Sequence, residues 1–225
     1  MLKKIIITFF TISTLAFSNV VNIEEKYSMF DLKDKLEYEI FEKAYLGYLQ
    51  IPEKTSEYLA IVDYSKPSSE KRFYLLDLAN GKILYNSRVA HSKTSGVETP
   101  IKFSNDPNSF ESSLGFYLTL GEYNGAYGHS LRLKGLEENI NSNAEERAIV
   151  LHGGNIANDS YFKTYGILGR SLGCPVLPTN IINDVIALIK NGTVLYIHGN
   201  DENYLEESKF LKSLLSYASN GTVKY

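Results

Sequence analysis

The sequence predicts a mainly β domain: a sandwich or barrel-like sheet with peripheral helices, flanked by helical extensions at both ends. Three observations carry that expectation. From residue 57 onward, short β-branched and aromatic stretches recur between polar turns. Asn80-Gly81 is a strong hairpin signal, and Asn124-Gly125 and Gly128 lie between two later strands. The strands do not alternate with helices, which argues against a βαβ repeat.

The chain opens "MLKKIIITFFTISTLAFSNVVNIEEK". Lys3 and Lys4 form a positive start, Ile5 to Phe17 is apolar, and Ala16-Phe17-Ser18 offers small residues where a signal peptidase reads. Residues 1–18 are therefore expected to be a signal peptide cut after Ser18. The run is about 13 residues, short of the roughly 20 that a spanning helix needs. No cysteine follows it to accept a lipid. The expectation is a protein of the periplasm or cell envelope with no transmembrane segment after cleavage.

Residues 19–56 form the N-terminal extension. Within it, 29–50 reads as an amphipathic helix, because Phe30, Leu36, Ile40, Phe41, Ala44 and Leu49 recur at helical spacing. Ile51-Pro52 ends it. Residues 57–200 form the main domain. "EYLAIVDYS", "KRFYLLDL" and "KILYNSRVAH" read as strands, the last two joined at Asn80-Gly81. "SLGFYLTLGEY", "HSLRLKGL" and "RAIVLHG" follow. "PTNIINDVIALIKNG" reads as a helix with Thr179 as N-cap and Gly192 as C-cap. "TVLYIHG" is the last strand, and residues 201–225 are a helical tail.

The net charge is −3 and no basic cluster appears, so nucleic acid is not an expected partner. Four histidines are present, but no HxH or HExxH spacing, so no metal and no cofactor is expected. Oligomeric state is not readable.

Cys174 is the only cysteine. It cannot form an internal disulfide, and in an exported protein an odd cysteine points to intermolecular pairing or a free reactive thiol. A buried apolar cysteine is the alternative. "AIVLHGG" delivers His152 at the end of an apolar strand, and "GRSLGC" delivers Cys174 after a glycine-containing loop. An imidazole can take a thiol's proton and return it to a leaving group. Pro175 has no N–H, so an oxyanion donor must come from Leu172, Gly173 or Cys174. Arg170 suits a substrate carboxylate and Ser171 a substrate hydrogen bond or the turn itself. His91, His129, Tyr117, Tyr123 and Tyr127 are weaker candidates for the cleft wall; His198 reads as structural.

"RAIVLHGG…YGILGRSLGCPVLP" resembles the signature of the L,D-transpeptidase catalytic domain family, also called YkuD-like. The likeness is closest to a murein L,D-transpeptidase subfamily with a GRSxGCP form, and runs over roughly residues 57–200. The resemblance implies a nucleophile at Cys174, a general base and acid at His152, and an oxyanion hole at the N–H groups of Gly173 and Cys174. It implies that a backbone carbonyl orients the imidazole, placed here in the loop around Gly153 and Gly154. It implies peptidoglycan stem peptides as partner: Cys174 forms a thioester with a donor stem, and a neighbouring amine resolves it into a 3–3 cross-link. The chain departs from the family at Leu172, where the motif usually has histidine. It departs at Val176, where Arg or Asn is frequent, and in a rather long His-to-Cys interval. An L,D-carboxypeptidase or murein hydrolase, and a non-catalytic peptidoglycan-binding envelope protein, stay open. A thiol acidified below the ordinary cysteine range is expected of such a site.

Overall fold

The computed structural model describes residues 22–212. The expected signal peptide and residues 213–225 of the tail lie outside the described residues.

Eight strands form one sheet in the order β3-β2-β1-β8-β4-β5-β6-β7. They are β1 Tyr58–Asp63, β2 Phe73–Asp77, β3 Lys82–Ser87, β4 Gly115–Gly125, β5 Gly128–Gly135, β6 Val150–Gly153, β7 Val176–Leu177 and β8 Val194–His198. Pairing is antiparallel except for β1 with β8 and β6 with β7. The central strands β1, β2 and β8 are apolar almost throughout because both faces are covered. Ala90, just past the edge strand β3, bridges Val176 in the opposite edge strand β7. The N–H of each donates to the carbonyl of the other. That bridge curls the sheet and hides the edges a flat sheet would expose. The mainly β, barrel-like expectation holds.

The helices are peripheral. The predicted helix over 29–50 is shorter than expected: α1 spans Ile23–Ser28 and α2 spans Tyr38–Gln50. Between them the chain turns, with Asp34 at φ 63°. Phe30, Leu32 and Leu36 are buried from these turns, so their helix-like spacing comes from anchoring a loop. Helix α2 lies close on the sheet. Gly47 faces Phe116, and a Cβ there would overlap the ring. A short helix, α3, spans Asp159–Tyr165. The predicted helix near 179–192 is α4, Ile182–Ile189. Thr179 does not cap it: its N–H and hydroxyl bond to the Asn158 side chain, and Ile181 is the cap residue.

Of the expected C-terminal helix, the described part holds α5, Tyr204–Glu207. This segment is seated, with Tyr204, Ser208, Phe210 and Leu211 buried. The buried Glu137 carboxylate ties it down, accepting from Tyr204 Oη at 3.0 Å, from the Ser208 hydroxyl, and from the Phe116 N–H at 2.8 Å. A buried carboxylate is tolerated only when its lone pairs are used in this way.

Two features of the sheet build the cleft. The β4–β5 hairpin is buried at its base and exposed beyond Thr119, where its register shifts, so its tip projects and carries Tyr127. A small apolar cluster of Ala90, Val150, Ala157, Leu168, Cys174 and Val176 lies apart from the main core. It packs beneath the loop that ends at Cys174.

Candidate active site

Strand β6 is held on both sides: His152 pairs with Ser130 of β5 and with Val176 of β7. That register brings Cys174, two residues before Val176, alongside the start of β6. The Val150 N–H donates to Cys174 Sγ at 3.4 Å, and the thiol donates to the Ala148 carbonyl at 3.6 Å. Val150 and His152 are two apart on one strand and face the same side. His152 and Cys174 line one cavity of about 280 Å³, with Tyr127, Gly153, Gly154, Ile156, Arg170, Ser171 and Leu172. Among the described residues, Sγ bonds only to the backbone of Ala148 and Val150, and the imidazole is not its partner.

The imidazole has one nitrogen committed. Nδ1 lies 2.9 Å from the Gly153 carbonyl. A carbonyl only accepts, so Nδ1 carries the proton and Nε2 keeps the lone pair in the neutral ring. Tyr127, 58% exposed, stacks on that ring with centroids 4.5 Å apart and planes 16° apart. Burial pushes the His152 pKa below the ordinary imidazole range, and the Gly153 carbonyl partly opposes the shift. Burial pushes the Cys174 thiol up, against the pull of the Val150 N–H and the Arg147 guanidinium. Burial thus works against the acidified thiol expected from the sequence, and both shifts favour the neutral thiol and the neutral imidazole in the resting pair.

The turn before the cysteine is locked from within. The Ser171 hydroxyl donates to the Cys174 carbonyl at 2.6 Å and accepts from the Gly173 N–H at 3.2 Å. Gly173 sits at φ 125°, and a Cβ there would lie 2.5 Å from Ile149 Cδ1. The Gly173 N–H is thus engaged by Ser171, whereas the Cys174 N–H bonds to no backbone carbonyl among the described residues and faces its own sulfur. Ser171 is anchored further: its N–H donates to the His91 carbonyl at 2.8 Å, and its carbonyl accepts from the Lys93 N–H at 3.0 Å.

Of the residues singled out in the sequence, His152, Gly153, Arg170, Ser171 and Cys174 line the cavity. Arg170 is exposed and makes no hydrogen bond or ion pair among the described residues. Gly173 stands behind the cavity wall. His91 is fully buried and away from it: Arg72 Nη2 meets Nδ1 at 2.8 Å and the Gly96 carbonyl meets Nε2 at 3.2 Å. His129 sits on the surface between Asn183 and Glu122. Tyr117 is in the core and Tyr123 lies under Arg132. Tyr127 was only one of three tyrosines, and the hairpin glycines at 125 and 128 were the available hint of a projecting tip. Ile156 carried no signal. Among the described residues no group of three His, Cys, Asp or Glu side chains is placed to hold a metal. No described helix is long and apolar enough to cross a membrane.

A family model described as the L,D-transpeptidase catalytic domain matches residues 32–198. No curated protein matches the chain. Solved structures similar to it include an L,D-transpeptidase from Mycobacterium smegmatis, at 12% identity and TM-score 0.40, covering 64% of this chain and 59% of that one. An L,D-transpeptidase from Stackebrandtia nassauensis has 10% identity and TM-score 0.40, covering 73% and 67%. The helical cell shape determining protein Pgp2 from Campylobacter jejuni has 14% identity and TM-score 0.41, covering 80% and 63%. The chain spans 59% of the length of the M. smegmatis protein.

Proposed function

The chain belongs to the L,D-transpeptidase catalytic domain family, and from that premise we propose that it is an exported cysteine acyltransferase acting on peptidoglycan stem peptides in the cell envelope. The observation that carries the reading is the shared cavity: an imidazole with an uncommitted Nε2 lone pair and a thiol line the same walls.

In this mechanism Cys174 Sγ turns from the Ala148 carbonyl into the cavity as the donor stem docks. Nε2 of His152 takes the thiol proton, and sulfur attacks the carbonyl of the third stem residue. The resulting oxyanion is met by the Cys174 N–H, and one such donor is worth on the order of 3 kcal/mol of barrier. Collapse breaks the peptide bond, and His152 returns the proton to the departing amine, leaving a thioester on Cys174. An amine of a neighbouring stem then attacks. His152 takes its proton and returns one to sulfur, and the product is a 3–3 cross-link. Arg170 lines the cavity, exposed and without an ion pair among the described residues, and in this reading binds a stem carboxylate in a bidentate fork. The Gly153 carbonyl holds the base in its working tautomer. A neutral pair suits this proton economy: the base is unprotonated before attack, and the thiol ionises as it reacts.

The test is incubation of the protein with purified tetrapeptide-stem muropeptides, with Cys174→Ser alongside and mass spectrometry of the products. Dimers with a 3–3 link, absent with the serine variant, are expected. Shortened stems without dimers would assign the same cysteine to a carboxypeptidase. No product and no covalent adduct would overturn the enzyme reading and leave a stem-binding protein.

A further inference from the structure

Arg147 opens the RAIVLHGG segment, five residues before His152, and lies outside the cavity. Its guanidinium makes four hydrogen bonds: Nη1 donates to the Ser104 carbonyl at 2.5 Å and Ser113 Oγ at 2.6 Å, and Nη2 to Ser109 Oγ at 3.1 Å and the Glu111 carbonyl at 2.6 Å. Every acceptor is neutral. Among the described residues no carboxylate pairs with it. The charge is therefore fixed in place by dipoles, with Glu111 and Asp106 acting on it from beyond ion-pair contact, and its field reaches the Cys174 sulfur.

Those neighbours are the nucleophile's supports. A Cβ on Gly173 would stand 3.8 Å from Arg147 Nη2 and 3.2 Å from the Glu111 carbonyl that Arg147 holds. The next residue, Ala148, is in the left-handed region at φ 53°, and its carbonyl receives the thiol. One side chain thus clamps residues 104–113 under Gly173 while its own backbone leads into the sulfur's acceptor. We propose that Arg147 is a positioning residue for Cys174: it holds the floor beneath the Gly173-Cys174 peptide, and its unpaired charge favours the anionic forms of sulfur and of the oxyanion that develops there.

The other groups facing this pair are few. The Val150 N–H and Ala148 carbonyl touch Sγ, His152 and Arg170 share its cavity, and the buried Tyr64, just past β1, acts on it as well. Arg147 itself feels Tyr117, Glu111 and Asp106. Tyr64 and Tyr117 are held neutral by burial, whereas Glu111 and Asp106 attract the Arg147 charge without forming an ion pair with it and so temper its pull on the sulfur.

The inference rests on Cys174 as the reacting sulfur, but its test reads the thiol and not cross-linking. Alkylation of Cys174 by iodoacetamide is followed over a pH series for wild type, R147Q and R147K, each checked for a cooperative melt. R147Q is expected to move the alkylation midpoint up by about one pH unit, a rate about tenfold lower below it. R147K loses the planar fork but keeps the charge, so its midpoint is expected to stay near wild type while its melt weakens. An unchanged midpoint in R147Q, or an equal shift in both variants, would overturn the proposal. If R147Q does not melt cooperatively, R147K decides: a retained midpoint supports the charge and a shifted one refutes it. A charge-dependent midpoint with no muropeptide product would sink the transpeptidase reading and leave this inference standing.

Discussion

His91 and His152 lie on either side of the same turn, and their surroundings are opposite. His91 is wholly buried with both ring nitrogens engaged, one by Arg72 and one by the Gly96 carbonyl. His152 has one nitrogen tied to Gly153 and lines an open cavity with a thiol. A histidine with both nitrogens satisfied by the fold is a fastener. One with a single nitrogen satisfied is oriented and still has a lone pair to use. Both pKa values are lowered by burial, His91 to about 3, with Arg72 adding to it, and His152 by less. The direction of the shift therefore does not separate them, and the hydrogen-bond partners do.

Exchanging the two residues' fates gives the largest expected effect. His152→Gln removes the base, and kcat for muropeptide cross-linking is expected to fall by about 10²–10⁴-fold, the usual span of general acid–base catalysis. Its thermal midpoint should stay near wild type, since only one hydrogen bond is altered. His91→Ala should do the reverse: it strands a buried Arg72 donor and costs about 1–3 kcal/mol of stability, while kcat per folded molecule changes little. Steady-state kinetics beside thermal melts check both. A stable His91→Ala protein with lost activity would abolish the distinction.

Much of the sheet was legible because its strands are short, apolar and bounded by turns, and Asn80-Gly81 lies between β2 and β3 as expected. The start of α2 was not. Phe30 and Leu36 mimic a helical stripe while serving a turn that only Asp34 at positive φ reveals. In the site, His152 and Cys174 were legible from a strand end and a lone cysteine. Tyr127 was not, because a hairpin tip's sequence does not say where it points, and Arg147, although it opens the quoted RAIVLHGG segment, was not, because its partners are distant in sequence. Only the fold of the hairpin and of residues 104–113 brings them in.

Acid should separate the same two regions by stability. His91, with a folded pKa of about 3, and His198, lowered to about 4 by burial and the Lys43 charge, stay neutral in the folded state where an unfolded histidine, with a pKa near 6.5, would be charged. Between those values the unfolded chain binds more protons, so stability is full above about pH 6.5 and is lost as pH falls toward the folded values. Each unit of separation is worth about 1.4 kcal/mol, so the loss is expected to reach a few kcal/mol. Denaturant melts over a pH series check it, and His91→Ala should flatten the slope. Activity should follow a different curve, holding up in acid until His152 protonates, below the ordinary imidazole range.

The smallest expected effect lies at Ser171, where the two regions join. Its backbone pairs with His91 and Lys93, and its hydroxyl bridges the Gly173 N–H to the Cys174 carbonyl. Ser171→Ala keeps the backbone pairing to the fastener side and removes only the bridge on the catalytic side. It leaves one buried donor and one buried acceptor short of a partner, a cost of roughly 1–3 kcal/mol that local relaxation into the cavity would reduce. The Gly173 N–H then turns free to meet the oxyanion, which offsets part of the lost order, so kcat/KM is expected to drop only about three- to tenfold, equivalent to roughly 1 kcal/mol of barrier. Parallel kinetics and melts of Ser171→Ala and Ser171→Thr distinguish the roles. Threonine restores the hydroxyl and should recover most of the loss if the bridge is what matters. Failure to recover, with a normal melt, would mean that Ser171 contacts the substrate directly and that the turn holds without its side chain.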